Sequence, residues 1–214
     1  ATDTTTTDAG SATTSVGSDT TTIAVDAPTT VIASGCATGE TCVVGDTGPG
    51  GGIVFYVSPT IIDTVDGVSA GGHYLEAAPN TWGGDNSDSL AVWGCPEALI
   101  VGATNIAVGT GAQNTKIMDA SCTTSGFAAD LAINLDFNGQ SDWFLPSIDE
   151  LYLMYTNLWV NGVGGFGGVG GLATDYWSSN AYVGGFAWSQ NFSGYQAGGF
   201  LDSMYSVRPI RAFG

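Results

Sequence analysis

The ten residues Asp142-Trp143-Phe144-Leu145-Pro146-Ser147-Ile148-Asp149-Glu150-Leu151 limit what this chain can fold into more than any other stretch. Trp143, Phe144 and Leu145 make a short apolar run. Pro146 has no backbone N–H, so the run cannot continue as a central strand. Ser147 and Glu150 then match the S-x-x-E capping box, in which each residue satisfies a backbone donor of the other at the start of a helix. The stretch reads as a buried corner that closes an extended run and opens a helix. Leu151, Met154, Tyr155 and Leu158 follow at i, i+3, i+4, i+7 spacing, which predicts one apolar face on a helix from Ser147 to about Asn161. Asp149 and Glu150 sit in its first turn, where negative charge suits the helix dipole. The glycine-rich tract from Gly162 to Gly171 ends it.

Around that corner the chain reads as short strands between turns. A length of 214 residues suits one core with appendages, because domains most often run to about 100–150 residues. Hydrophobic residues at 43%, with six Trp, can fill that core, while 33 Gly with many Thr, Ser and Asn demand turns. Residues 45–52 are a glycine-rich turn before Ile53-Val54-Phe55-Tyr56-Val57, the first core strand. Residues 58–72 read as a hairpin loop and 73–78 as the returning strand. Residues 80–112 form a long loop carrying Trp82 and Trp93, and 114–120 and 127–131 are short helical candidates. Aromatic segments at 175–179, 186–192 and 205–213 then alternate with Gly and Asn turns. A main helix followed by an antiparallel meander defines the α+β class.

Charge excludes whole classes of partner. Twenty acidic residues face only Lys116, Arg208 and Arg211, for a formal net charge of −17. Nucleic-acid binding needs clustered Lys and Arg to displace phosphate counterions, and none exist here. An anionic membrane surface is disfavoured on the same ground. No segment has the roughly 18 consecutive apolar residues that a membrane span requires. Arg208 and Arg211 flank a strand and read as partners of carboxylates such as Glu76 or Glu150.

Cys36, Cys42, Cys95 and Cys122 include no C-x-x-C pair and accompany a single His, so a zinc site is poorly supported and disulfides fit better. Of the three pairings, sequence proximity favours Cys36–Cys42 and Cys95–Cys122, worth roughly 2 and 3.5 kcal/mol in the chain-entropy account. Disulfides imply an oxidising compartment, extracellular or at the cell surface. A start at Ala1 without Met or a basic leader reads as a mature secreted product.

Residues 1–34 differ from the globular domain expected over 35–214: they are rich in Thr and Ser and hold no aromatic residue, Lys or Arg. Such a stretch cannot bury a core alone, and its first part resembles an O-glycosylated stalk or flexible tether. From Thr22 to Ala33, however, Ile23, Val25, Ala27 and Val31 recur with period two, the pattern of a strand with one apolar face. Pro28 would restrict it to a sheet edge. A strand outside a globular domain either pairs with its own domain or adds to the sheet of a neighbouring copy.

Several motifs taken together identify a resemblance. Gly45-Asp46-Thr47-Gly48-Pro49-Gly50-Gly51-Gly52-Ile53-Val54-Phe55-Tyr56, Leu75-Glu76-Ala77-Ala78-Pro79, the 142–151 corner, Tyr176-Trp177-Ser178-Ser179, Ala187-Trp188 and Val207-Arg208-Pro209-Ile210-Arg211-Ala212-Phe213 occur in that order. Over about residues 43–213 the chain resembles the C-terminal domain family of Legionella collagen-like proteins. The resemblance implies a C-type-lectin-like fold on secreted or surface-exposed bacterial proteins, some of them adhesins for sulfated polysaccharides. A sulfated glycan needs cationic partners, which this chain lacks. Sulfatase-activating enzymes share that superfamily and a comparable corner, but they need reactive cysteines, and the four cysteines here read as disulfides.

Constellations for catalysis are weak. Gly67-Val68-Ser69-Ala70-Gly71 fits G-x-S-x-G with His73 nearby, yet a nucleophile elbow must join a strand to a helix and draw its His from a distant loop. Gly162, Gly164 and Gly167 fit G-x-G-x-x-G inside a glycine tract that belongs to no βαβ unit. Asn134, Asp136, Asn138 and Asp142 place oxygen ligands at spacings that suit a structural Ca²⁺, with Gly139 for the turn. Leu145 stands where a bidentate Glu is needed, and an Asx-rich turn explains the same residues. Trp177-Ser178-Ser179-Asn180 also lacks the Trp-Asn-Asp pattern of calcium-dependent lectins. Trp82, Trp93, Tyr182, Tyr195, Phe200 and Tyr205 lie in Gly-rich or Asn-rich loops, where exposed rings would contact glycans or a partner protein. Trp143, Trp177 and Trp188 are assigned to the core.

The expectation is a secreted bacterial structural protein without enzymatic activity. Its lectin-fold globule would join identical subunits through the arm residues Ile23, Val25 and Val31 into a filament or layer. The alternative is an adhesin that recognises extracellular glycans through loop aromatics.

Overall fold

The computed structural model describes Cys36 and residues 41–95, 97–167 and 174–214. The arm at 1–34, with Ile23, Val25 and Val31, lies outside the described residues. In chain order the described elements are β1 (Ile53–Ile62), β2 (Gly72–Ala77), β3 (Leu90–Ala91), α1 (Gly111–Ser121), α2 (Ala128–Ile133), α3 (Ile148–Asn157), β4 (Asp175–Tyr182), β5 (Phe186–Asn191), β6 (Tyr195–Phe200), β7 (Tyr205–Ser206) and β8 (Ile210–Phe213). The class is α+β. One sheet has the order β1-β2-β8 and the other β3-β7-β4-β5-β6. Their pairings are antiparallel except for β4 with β7.

The corner behaves as its residues dictate. Phe144 N–H donates to Ile210 O at 2.8 Å and Ile210 N–H returns to Phe144 O at 2.9 Å, so the apolar run bridges β8 before Pro146 ends it. Ser147 Oγ accepts from Glu150 N–H at 3.3 Å, and Glu150 Oε2 accepts from Ser147 N–H at 2.6 Å, which completes the capping box. The helix is α from Ile148 to Asn157, then tightens to a 3-10 turn over Trp159–Asn161, and Gly162 ends it in the left-handed region at φ 69°. Asn157 Nδ2 ties it to Phe55 O of β1 at 2.9 Å.

Neighbouring residues feed separate cores. Phe144 joins Phe55, Leu75, Leu151 and Met154 in a cluster around α3, while Leu145 joins Trp93, Met118 and Phe127 in a second cluster against α1 and α2. Tyr176 and Trp177 divide in the same way, because successive side chains of a strand point to opposite faces. Thus β4 and the corner form the wall between two cores. A third, small cluster gathers Cys36, Cys42, Val54 and Phe213.

Cys36–Cys42 and Cys95–Cys122 are bridged, the pairings that proximity favoured. No helix among the described residues is long and apolar enough to cross a membrane. Several expectations need correction. The 80–112 loop contains β3, and α1 begins at Gly111. The segment 195–200, where Gly198 and Gly199 suggest a turn, is the strand β6. Trp188 is half-buried at the margin of the first core, whereas Trp143 and Trp177 are fully buried.

Candidate functional site

The meander β4-β5-β6 assembles the surface with the most distinctive chemistry. Its register sets Tyr182 opposite Phe186 and Phe186 opposite Phe200, and residues directly opposite in antiparallel strands share a face. Three rings therefore stand in one cross-strand row. Trp188, two residues beyond Phe186, joins the same face. Its ring centroid lies 4.3 Å from that of Tyr182, and Phe186 lies 4.8 Å from Phe200. Gly198, opposite Trp188, makes room for this packing: a Cβ there would stand 2.9 Å from the Tyr182 ring. Tyr182 and Phe200 remain 42% and 63% exposed, so part of the row faces solvent.

The same region carries almost no charge. Between Glu150 and Asp202 the only charged residue is Asp175, in a chain with a net charge of −17. Beside the row lies an apolar cleft of about 480 Å³, bounded by Val92, Cys95, Leu99 and Leu201 with Glu97 and Asp202 among its lining. A smaller recess of about 50 Å³ extends it to Tyr182 and Phe186. The loop on its far side is stapled twice. Cys95 bridges Cys122, and Glu97 Oε1 accepts from the N–H groups of Thr123 and Thr124 at 3.0 and 2.9 Å. Those two donors hold the Glu97 carboxyl down to about 2. The staples present Leu99 and Val101, 80% and 73% exposed, beside the sheet.

Among the outer strands, β6 differs from the rest. The start of β1 is covered, since Gly45 N–H donates to Val54 O and Val54 N–H donates to Asp46 O. Phe144 bridges β8, and β3 is two residues long. β6 runs for six residues with β5 on one side, and no strand among the described residues pairs with its other side. It carries no charge, no Pro and no bulge, the devices by which sheet edges are normally protected.

The candidate contact residues therefore separate. Tyr182 and Phe200 come together in the row. Tyr195 is 55% exposed at the start of β6 and, five residues from Phe200, stands on the other side of the pleat. Trp93 is corrected to a core residue: it is 2% exposed because its Nε1 donates to Ser178 O at 2.7 Å inside the second core. Tyr205 is half-buried against Trp177 at 4.3 Å, and Trp82 donates to Asp88 Oδ1 at 3.1 Å. Phe186 and Trp188 are the additions. Their alternation with Ala187 is visible in the sequence, but only the register reveals what they face.

Asp142, a candidate metal ligand, is paired with Arg211. Arg211 Nε and Nη2 reach its two oxygens at 2.7 and 3.1 Å, so a cation would have to displace a guanidinium. Asn138 and Gly139, at φ 53° and 73°, form the two-residue turn between Phe137 and Gln140, whose backbone bonds close it at 3.0 Å in both directions. Asn134 Nδ2 donates to Asp130, and Asp136 is exposed.

The arginines organise buried polar networks. Arg211 bridges Asp142 and Glu76, at 2.7 Å each, while Glu76 accepts from the N–H groups of Gly50 and Gly52. Burial opposes the Arg211 charge, but the Asp142 and Glu76 hydrogen bonds outweigh it and raise its pKa. Arg208 forms a fork with Asp88 and donates to Gly164 O, and Asp88 also accepts from the Tyr176 hydroxyl at 2.6 Å. Burial, then the Asp88 charge, pushes the Tyr176 pKa far up. Glu150 has no arginine partner among these pairs. It accepts from Ser147 and from Gly109 N–H, and burial pushes its pKa up to about 7 against those donors. Ser69 Oγ accepts from Gly71 N–H while His73 Nδ1 faces Ser58 O, so each of that pair has a local backbone partner.

No protein-family model and no curated protein matches this chain.

Proposed function

We propose that this is a non-enzymatic extracellular or cell-surface protein that works by self-assembly, its globule C-type-lectin-like as the motif resemblance implies. The observation that carries the reading is the aromatic meander, whose one charged residue is Asp175, on a chain of net charge −17. Copies of so acidic a protein repel one another across most of their surface. A stable contact is favoured where charge is absent and apolar rings are exposed, as along Tyr182, Phe186 and Phe200. Two disulfides favour an oxidising setting. The deciding experiment compares residues 1–214 with 35–214 by negative-stain microscopy and light scattering. Filaments or layers from the full chain, with monomers from the shorter one, support the reading; monodisperse monomers from both overturn it.

A second reading is an adhesin. Tilted, part-exposed rings at Tyr182, Trp188 and Phe200 suit stacking on a sugar face. Two of the three cations are buried in ion pairs, so the glycan would be neutral rather than sulfated. A glycan array with Tyr182→Ala and Phe200→Ala controls tests it, and silence across neutral glycans counts against it.

A further inference from the structure

We propose that the open edge of β6 receives the segment from Thr22 to Ala33 of a second copy as an added strand. The proposal rests on the assembly reading and names its acceptor. Three observations converge on it.

The acceptor offers a long edge without the usual protection. Six residues of β6 have β5 as their only strand partner among the described residues. Gln196, Ala197, Gly198 and Gly199 put no charge and little bulk along that edge, so a second backbone can approach closely.

The donor matches in pattern and charge. Ile23, Val25, Ala27 and Val31 fall on one face of an extended segment whose only charge is Asp26. Laid beside β6, that face continues the row Tyr182, Phe186, Phe200 by one more strand, with apolar side chains against the exposed Phe200 ring. Pro28 fits the new outermost position, because its missing N–H would face away from the sheet and discourage further addition.

The root of the segment lies on the other sheet. Ala33 is three residues from Cys36, a span of about 11 Å at most, since consecutive Cα atoms are about 3.8 Å apart. Cys36 is bridged to Cys42 and packs with Val54 and Phe213 of the first sheet. β6 belongs to the second sheet, at the edge separated from β7 by β4 and β5, and the chain crosses to the first sheet just after β7. Donor root and acceptor thus lie on different sheets of one molecule, so donation to a neighbour leaves each copy with its own β6 to offer, which propagates a chain of copies head to tail.

Pairwise cross-linking of full-length single-cysteine variants tests this, because the four native cysteines are already bridged. Val25→Cys protein is mixed with Gln196→Cys protein, whose position shares the Phe200 face of β6, in an oxidising glutathione buffer, with Leu90→Cys on β3 as the control edge. The expected result is a covalent dimer from the first mixture at roughly tenfold the level of the control, since strand pairing raises the local thiol concentration. Phe200→Cys, on the same face of β6, covers a shift in register. If the unmodified chain assembles but no β6 position cross-links above the control, this acceptor is wrong while the assembly reading stands. A Val25→Cys/Gln196→Cys double variant that closes at monomer mass in dilute solution overturns pairing between copies. If the unmodified chain never assembles, the assembly reading falls and takes this inference with it.

Discussion

The two sheets treat their edges and their charges in opposite ways. The first sheet is locked from within: Arg211 joins Glu76 of β2 to Asp142 of the corner, and Asp46 and Phe144 engage the backbones of its outer strands. The second sheet ends in β6, uncharged and uncovered among the described residues. Arg208 and Arg211 are 1% and 5% exposed, so the molecule encloses two of its three cations. Its outer surface is left almost purely acidic. Contact between copies is least opposed on β5 and β6, which carry no acidic residue.

The contrast can be broken first at its locked end. Arg211→Ala leaves Glu76, which is fully buried, and Asp142 without their cation, and should lower stability by about 3–5 kcal/mol in urea unfolding. Arg211→Lys should recover only part of this, because an ammonium cannot make both the Asp142 fork and the Glu76 contact. If the alanine variant unfolds with the midpoint of the parent chain, the first sheet is not held as described.

Next in size is a pH effect centred on Glu150. A carboxyl whose pKa rises on folding favours the folded state while protonated. Its contribution is complete below the ordinary value of 4.5 and is lost as pH climbs through about 7. Stability should therefore fall across that window by on the order of 3 kcal/mol. Glu150→Gln should flatten the slope, and an unchanged slope would contradict the assignment. Ser147→Ala, which removes the other half of the same capping box, should cost about 1 kcal/mol.

At the open end the effects should divide between stability and assembly. Tyr182→Ala with Phe200→Ala removes rings that are already part exposed, so unfolding should shift by about 1 kcal/mol or less while assembly is lost. A full loss of folding would instead make the row a core element. Smallest is Glu97, whose depressed pKa contributes stability above 4.5 that is lost as pH falls towards about 2. Acidification through that range should speed amide exchange at Thr123 and Thr124 before the cores respond.

Legibility in the sequence follows the range of each signal. The capping box, the helix face and the two short-range disulfides depend on residues close in the chain, and each has the form its spacing implied. β6 was hidden because Gly198 and Gly199 carry the local signature of a turn, while the strand depends on six pairings with β5. Trp93 sits in a glycine-rich loop, and only the Ser178 carbonyl, far away in sequence, explains why it turns inward. Asp142 suited a cation by spacing, but the cation it meets is Arg211. The Asp88–Arg208 pair spans 120 residues and had no local pattern to announce it.

Hydrogen exchange along β6 tests the open edge most directly. In assembled full-length protein, the outward amides within 196–199 should exchange at least about tenfold more slowly than in residues 35–214, as newly paired strand amides do. Equal rates at those amides, with protection appearing at β3 or on the first sheet instead, would contradict the assignment.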